Sequence, residues 1–139
     1  MDVEKYLARD SLSGEEQVVM ALITPFYDAE HNRVSKSAFE KPDTSVSRLS
    51  VSKLEDIISV FRRDLDRPHR LVEGYGLINV EAIRCAGKDV DDLDLDVTAD
   101  PIECPVESIN KAHAEIVAFN EKRNGLRKSG LLTPVRLSQ

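Results

Sequence analysis

Ser52-Lys53-Leu54-Glu55-Asp56-Ile57-Ile58-Ser59-Val60-Phe61-Arg62-Arg63-Asp64-Leu65-Asp66 is the stretch that decides the fold. Leu54, Ile57, Ile58, Phe61 and Leu65 recur at three- and four-residue steps, which gathers them into one apolar stripe on a helix. Ser52 and Glu55 stand at capping-box spacing, where a hydroxyl and a carboxylate satisfy the free amides of a helix start. Pro68 has no backbone N–H and stops the pattern. The reading predicts a helix from Lys53 to about Asp66, and a helix with a single apolar stripe needs a second layer to cover it.

The flanking sequence supplies strands for that layer. Val18-Val19-Met20-Ala21-Leu22-Ile23-Thr24 is short, β-branched at both ends and stopped by Pro25. These features favour a buried strand, although Ser13-Gly14-Glu15-Glu16 also fits a helix start. Tyr27 to Pro42 reads as a polar, ordered loop pinned by Phe39. Val46-Ser47-Arg48-Leu49 alternates apolar and polar residues, as a short strand does. Leu71 to Val80 is a strand pattern interrupted by Gly74 and Gly76, positions where a backbone bends or something comes close. Val80 to Ala86 reads as a short helical turn ended by Gly87. Leu93, Leu95 and Val97 alternate with Asp92, Asp94 and Asp96, a strand with one dry face, and His113 to Phe119 is the last strand.

The fold class that follows is α+β: a single small domain, its sheet mixed or antiparallel, with one main amphipathic helix packed against a sheet that contains Leu93, Leu95 and Val97. The expected division is a polar N-terminal arm over 1–16, the domain over 17–119 and a basic C-terminal tail over 120–139. A chain of 139 residues supports one domain of this kind.

Composition narrows the function classes. Seven aromatic residues and no Trp argue against stacking platforms for single-stranded nucleic acid. The longest apolar run, Val18 to Ile23, falls far short of the roughly twenty residues of a membrane span. The acidic start Met1-Asp2-Val3-Glu4 does not resemble an export signal, so a cytoplasmic setting is expected. Cys85 and Cys104 are then read as small buried structural residues. The net charge of -6 conceals an uneven distribution, because Lys122, Arg123, Arg127, Lys128 and Arg136 gather in the tail against Glu121 alone. A basic tail on an acidic body suits a protein partner better than autonomous duplex DNA binding, which is expected to be weak at most.

Few constellations carry chemistry. Asp92, Asp94, Asp96, Thr98, Asp100 and Glu103 match the oxygen-bearing positions of a calcium loop, but Val97 stands where the loop needs Gly, and an alternating strand explains the same acids. His113-Ala114-Glu115 has the His-x-Glu of zinc deaminases without the later cysteines. Arg62, Arg63, Arg67 and Arg70 form a basic cluster with His69; cations at a helix carboxyl end need no ligand to explain them. Gly74-Tyr75-Gly76 lacks the rest of a phosphate loop. No serine sits in a Gly-x-Ser-x-Gly elbow, and pairing any serine with His31, His69 or His113 is cheap on paper. No metal or cofactor is expected.

Asp43-Thr44-Ser45-Val46-Ser47-Arg48-Leu49-Ser50 resembles a family of small uncharacterised bacterial proteins with a Ser-Val-x-Arg segment. The resemblance continues at Gly76-Leu77-Ile78-Asn79-Val80 with Arg84, at Asp100-Pro101, and at Asn110-Lys111-Ala112-His113-Ala114-Glu115-Ile116-Val117. There the family carries Asn-Pro-Ala-His-Ala, and Lys111 departs from it. No activity is established for the family. The resemblance implies that Arg48, Asp100, Asn110 and His113 are the polar residues of interest, as ligand groups or as bonds holding strand ends. The leading expectation is a small cytosolic, non-catalytic binding or accessory module, a subunit of a larger bacterial assembly. The rival is an enzyme on a nucleotide or nucleic acid, with Arg48 on phosphate and His113 as acid or base.

Overall fold

The computed structural model describes residues 11–24, 26–34, 43–89, 95–118 and 132–137. The elements in chain order are β1 (Gln17–Ile23), β2 (Tyr27–Asp28), β3 (Arg33–Val34), β4 (Asp43–Arg48), α1 (Leu54–Leu65), β5 (Val72–Asn79), α2 (Val80–Asp89), β6 (Leu95–Ala99), a 3-10 turn (Val106–Ser108), β7 (His113–Ala118) and β8 (Thr133–Arg136). Six strands form one antiparallel sheet in the order β6-β7-β4-β1-β5-β8, and β2 and β3 make a small hairpin. The class is α+β, as the sequence predicts.

Strand alternation divides the residues between the two faces of the sheet. On one face Val18, Met20 and Leu22 of β1 join Val46, Ile78, Val97, Ala114 and Ile116, covered by Val80 and Ile83 of α2 and by Leu12, Tyr27, Val34 and Leu132. On the other, Val19, Ala21 and Ile23 of β1 join Val72, Tyr75 and Leu77 under Ile57, Phe61, Leu54 and Leu65 of α1. The helices therefore lie on opposite sides of the sheet. The sheet that α1 packs against does contain Leu95 and Val97, as expected, but Val97 belongs to the face away from α1, which covers β1 and β5. Leu93 lies outside the described residues.

A bulge lets β5 serve both cores. Leu22 pairs with Gly74 and Ile23 with Val72, so Glu73 is the extra residue. Val72 is thereby turned onto the α1 face beside Ile23. Gly74 and Gly76 lie on the other face, where side chains come too close for a Cβ. One at Gly76 would stand 2.2–2.6 Å from Leu132, and one at Gly74 would stand 2.7 Å from the Val135 carbonyl and 2.9 Å from the Tyr27 ring.

Several sequence expectations change. The N-cap of α1 is Lys53 and no side chain caps it, so the Ser52–Glu55 box does not form; the Ser52 amide donates to the Arg48 carbonyl at 3.2 Å and keeps the chain in the turn leaving β4. The Val80 helix runs through Gly87 to Asp89. The expected Tyr27–Pro42 loop contains the β2–β3 hairpin, whereas Phe39 lies outside the described residues. Leu12, from the expected arm, is buried and its amide bonds the Val97 carbonyl at 3.0 Å. Part of the expected basic tail is β8, paired with β5, so His113–Ala118 is not the last strand. Cys85 and Cys104 are exposed rather than buried. No helix among the described residues is long and apolar enough to cross a membrane.

Ile57 is 2% exposed, whereas Ile58 is half-buried. Ile57→Ala should therefore cost about 2 to 5 kcal/mol in urea unfolding, with Ile58→Ala well below it. Gly76→Ala should cost about 1 to 3 kcal/mol by pressing on Leu132; an unchanged midpoint for Gly76→Ala would mean that Leu132 does not pack there.

Candidate functional site

β4 lies between β1 and β7, and its register builds the site. Val19 pairs with Ser47, Ser47 with His113 and Ser45 with Glu115. β6 continues the array, with Thr98 opposite Glu115 and the Asp100 amide donating to the His113 carbonyl at 2.9 Å. Opposed residues in a sheet share a face. Two transverse rows result, Ser45–Glu115–Thr98 and Ser47–His113–Asp100, on the same face as Val19. This is the face that α1 covers over β1 and β5; over β4, β7 and β6 it carries polar residues together with the buried Val117.

Within the array His113 links the two rows. Its Nδ1 lies 2.9 Å from the Asp100 backbone carbonyl and 3.3 Å from Asp100 Oδ2, and its Nε2 lies 3.3 Å from Ser45 Oγ. A carbonyl only accepts, so Nδ1 carries the proton of that bond. In the neutral ring Nε2 is then left as an acceptor for the Ser45 hydroxyl. Ser47 and Thr98 are each 1% exposed, Glu115 is buried and Ser45 is open to solvent. The Thr98 Oγ1 is buried without a hydrogen-bond partner.

Arg48 does not converge with His113. It follows Ser47 in the strand and therefore projects from the opposite face, beside its partner Val18. Its Nε donates to Glu16 Oε1 at 2.6 Å and its Nη2 to Oε2 at 3.2 Å, while Ser50 Oγ donates to Oε1 at 2.6 Å. The fork thus closes on a carboxylate just ahead of β1. Asn110 acts through its backbone, exchanging bonds of 2.9 and 2.8 Å with Ile102 and accepting the His113 amide at 3.3 Å. Of the four residues the sequence singles out, Asp100, Asn110 and His113 meet at the β6–β7 connection, and Arg48 serves a separate strand end.

The remaining candidates are distributed elsewhere. Arg63 pairs with Asp64 at 2.8 Å, Arg67 donates to the Asp66 carbonyl and Arg70 to the Leu65 carbonyl, so three of the four clustered arginines serve the end of α1. Asp92 and Asp94 lie outside the described residues, and Asp96 bonds Arg84 Nε at 2.8 Å and Ser11 Oγ at 2.7 Å. Asp28, Glu30 and His31 cluster on the β2–β3 hairpin with ligand atoms within 4.8 Å of one another. There Asp28 already accepts the Glu30 and His31 amides and His31 Nδ1, which makes the cluster a turn.

Ser45, Ser47, Thr98 and Glu115 are the site residues that the motif reading passes over. The signal was available: Ser45-Val46-Ser47 and His113-Ala114-Glu115 alternate polar and apolar residues within predicted strands, which places their polar members on one face. No family model matches the chain, and the searches of curated proteins and of solved structures also give no match. The resemblance to the Ser-Val-x-Arg family rests on its short segments.

Burial alone would raise the pKa of Glu16, but the bonds from Arg48 and Ser50 outweigh it and hold the carboxyl below its usual 4.5. A carboxylate with a depressed folded pKa stabilises the fold above its unfolded value and loses that contribution as pH falls through the folded one. Wild-type stability should therefore fall more than that of Glu16→Gln as pH drops below about 4.5. Arg48→Ala at neutral pH should cost about 1 to 3 kcal/mol, because the Glu16 side chain, 8% exposed, loses its main donor. Parallel acid-unfolding curves for wild type and Glu16→Gln would contradict the role given to this pair.

Proposed function

We propose that the chain is a small binding or accessory module whose binding site is the polar half of the sheet face, entered at the exposed Ser45, with Ser47, Thr98 and Glu115 buried behind it. One observation carries the reading: Ser45, Ser47, Thr98, Asp100, His113 and Glu115 form two registered rows on one face, with the Thr98 hydroxyl buried and unpartnered. Ser47, Thr98 and Glu115 are buried beside Val117 on this face, so polar groups are enclosed here where β1 and β5 carry apolar side chains under α1. Leaving a buried hydroxyl unbonded costs about 1 to 3 kcal/mol, which a polar group brought by a ligand can offset.

A protein partner is part of the proposal. The β6–β7 connection beside the rows keeps Pro101, Glu103, Cys104, Pro105, Val106 and Glu107 exposed, with Val106 79% exposed. Its setting in a cytoplasmic bacterial assembly rests on the sequence alone. The rival reading, an enzyme on a nucleotide, loses support at Arg48, whose fork is closed on Glu16 across the sheet from His113. Duplex DNA binding by the isolated chain should be weak at physiological salt, since Asp64 and Asp66 interleave with Arg62, Arg63 and Arg67.

A screen of small polar fragments by amide chemical shifts tests the surface. The perturbations should cluster on Ser45, Ser47, Thr98, Asp100, His113 and Glu115. Thr98→Val should weaken those shifts while leaving stability unchanged or raised, because it removes an unbonded hydroxyl. Perturbations that cluster elsewhere, or a fragment response unchanged in Thr98→Val, would overturn the assignment.

A further inference from the structure

Two corners of the sheet carry opposite and matching surfaces. Ile23 pairs with Val72 at one end of β1, whereas Val18 pairs with Arg48, Ser47 with His113 and Ala99 with Ala114 toward the other. The turn leading into β5 therefore lies at the Ile23 end and the β6–β7 connection at the Gln17 end, about 20 Å away along the strands. β4 and β1 also separate β7 from β5, so the two corners are diagonal.

The β6–β7 corner is an apolar tip flanked by acids. Ile102 and Asn110 exchange backbone bonds of 2.9 and 2.8 Å, and inside them the Ser108 amide bonds the Pro105 carbonyl at 2.9 Å. A backbone fixed in this way loses little entropy when it docks. Val106, 79% exposed, stands on it between the exposed Glu103 and Glu107. Among the described residues no ion pair takes up either glutamate.

The β5 corner is apolar and flanked by cations. The Arg67 and Arg70 backbones bond each other at 2.8 and 3.0 Å, closing a turn that leaves Arg67, Pro68 and His69 exposed. The Arg67 and Arg70 guanidiniums donate to the Asp66 and Leu65 carbonyls, which carry no charge. The Asp66 carboxylate is committed to the Val72 amide at 2.8 Å, and Asp64 is taken by Arg63. Leu71 follows the turn and is 47% exposed, and Phe26 is exposed at the same end of the sheet.

We infer that the tip of one copy docks on the basic turn of the next, Val106 against Leu71 with Glu103 and Glu107 facing Arg67 and Arg70, so that the chain associates head to tail. The occupant is a second copy because this chain carries both halves of the match, in charge and in exposed apolar area. Diagonal corners point away from each other, so the contact joins unlike surfaces and propagates as an open chain instead of closing a two-fold dimer. The inference rests on the reading that the β6–β7 connection docks a protein; the polar rows take no part in it.

Sedimentation of the full chain tests this between about 20 μM and about 1 mM, where small interfaces associate. The weight-average mass should rise past two chains with concentration and fall when salt is raised to about 1 M, which screens the carboxylate–guanidinium contacts. Val106→Asp removes the tip and the double variant Arg67→Glu/Leu71→Asp removes the turn. Each, with folding checked by its melting curve, should sediment as a single chain. Mixed in equal amounts they should form a dimer and nothing larger, because one supplies the intact turn and the other the intact tip. A wild-type mass that stays at one chain or stops at two, unchanged association in either folded variant, or a mixture that remains monomeric would overturn the inference. A monomeric chain with fragment shifts on the polar rows would leave the proposed binding site standing, whereas association without those shifts would remove that site and keep the tip contact.

Discussion

The register of β4 between β1 and β7 is the constraint on which the rest depends. Because side chains alternate strictly along a strand, a slip of β4 by one residue would send Ser45 and Ser47 into the core that holds Ala114 and Ile116 and bring Val46 onto the polar half. The register is fixed from both sides: Leu49 bonds Gln17 and Arg48 bonds Ala112 through the backbone, and the Arg48 fork grips Glu16 at the entrance to β1. Arg48 thus has a function in the fold without contacting His113.

That register gives the sheet two unlike halves on one face. Over β1 and β5 the face is apolar and buried under α1; over β4, β7 and β6 it carries hydroxyls, carboxylates and an imidazole beside Val117, with Ser47, Thr98 and Glu115 buried. The opposite face is mainly apolar, with Arg48 and Thr44 among its β4 residues and α2 and the Tyr27–Val34 hairpin region meeting the sheet. Gly74 and Gly76 let Tyr27 and Leu132 approach β5 there, and the bulge at Glu73 lets the same strand give Val72 to α1. The outer strand β8 is secured as well. Pro134 lacks an amide to offer a further strand, Asn32 donates to its carbonyl at 3.2 Å, and Arg136 donates to the Ala29 carbonyl at 3.0 Å.

Local patterns carried most of the fold. The apolar stripe of α1, the β-branched run of β1 and the two glycines of β5 were legible because each depends on neighbours in sequence. The face on which α1 packs was not, since that choice depends on strand order. Nor was the Lys53 cap, because Ser52 is held by the Arg48 carbonyl in the turn after β4. β8 lies in a stretch whose dominant sequence signal is its charge, and a cysteine's compartment does not determine its exposure. At the site, Asp100, Asn110 and His113 were found through short motifs, but Arg48 shares its motif with Ser47 while projecting from the other side of the strand. Ser45 and Thr98 become visible only when three strands are laid side by side, a long-range pairing that no single segment specifies.

The most direct measurement is the pattern of Hα–Hα nuclear Overhauser contacts across β4, β7 and β6. Non-hydrogen-bonded antiparallel pairs bring the two Cα atoms to about 4.5 Å and their hydrogens into close contact. The account predicts such contacts for Ser45 with Glu115, Ser47 with His113 and Val97 with Ile116. Contacts displaced by one residue, such as Ser45 with Ala114 or Ile116, would place the polar rows in the core and contradict it.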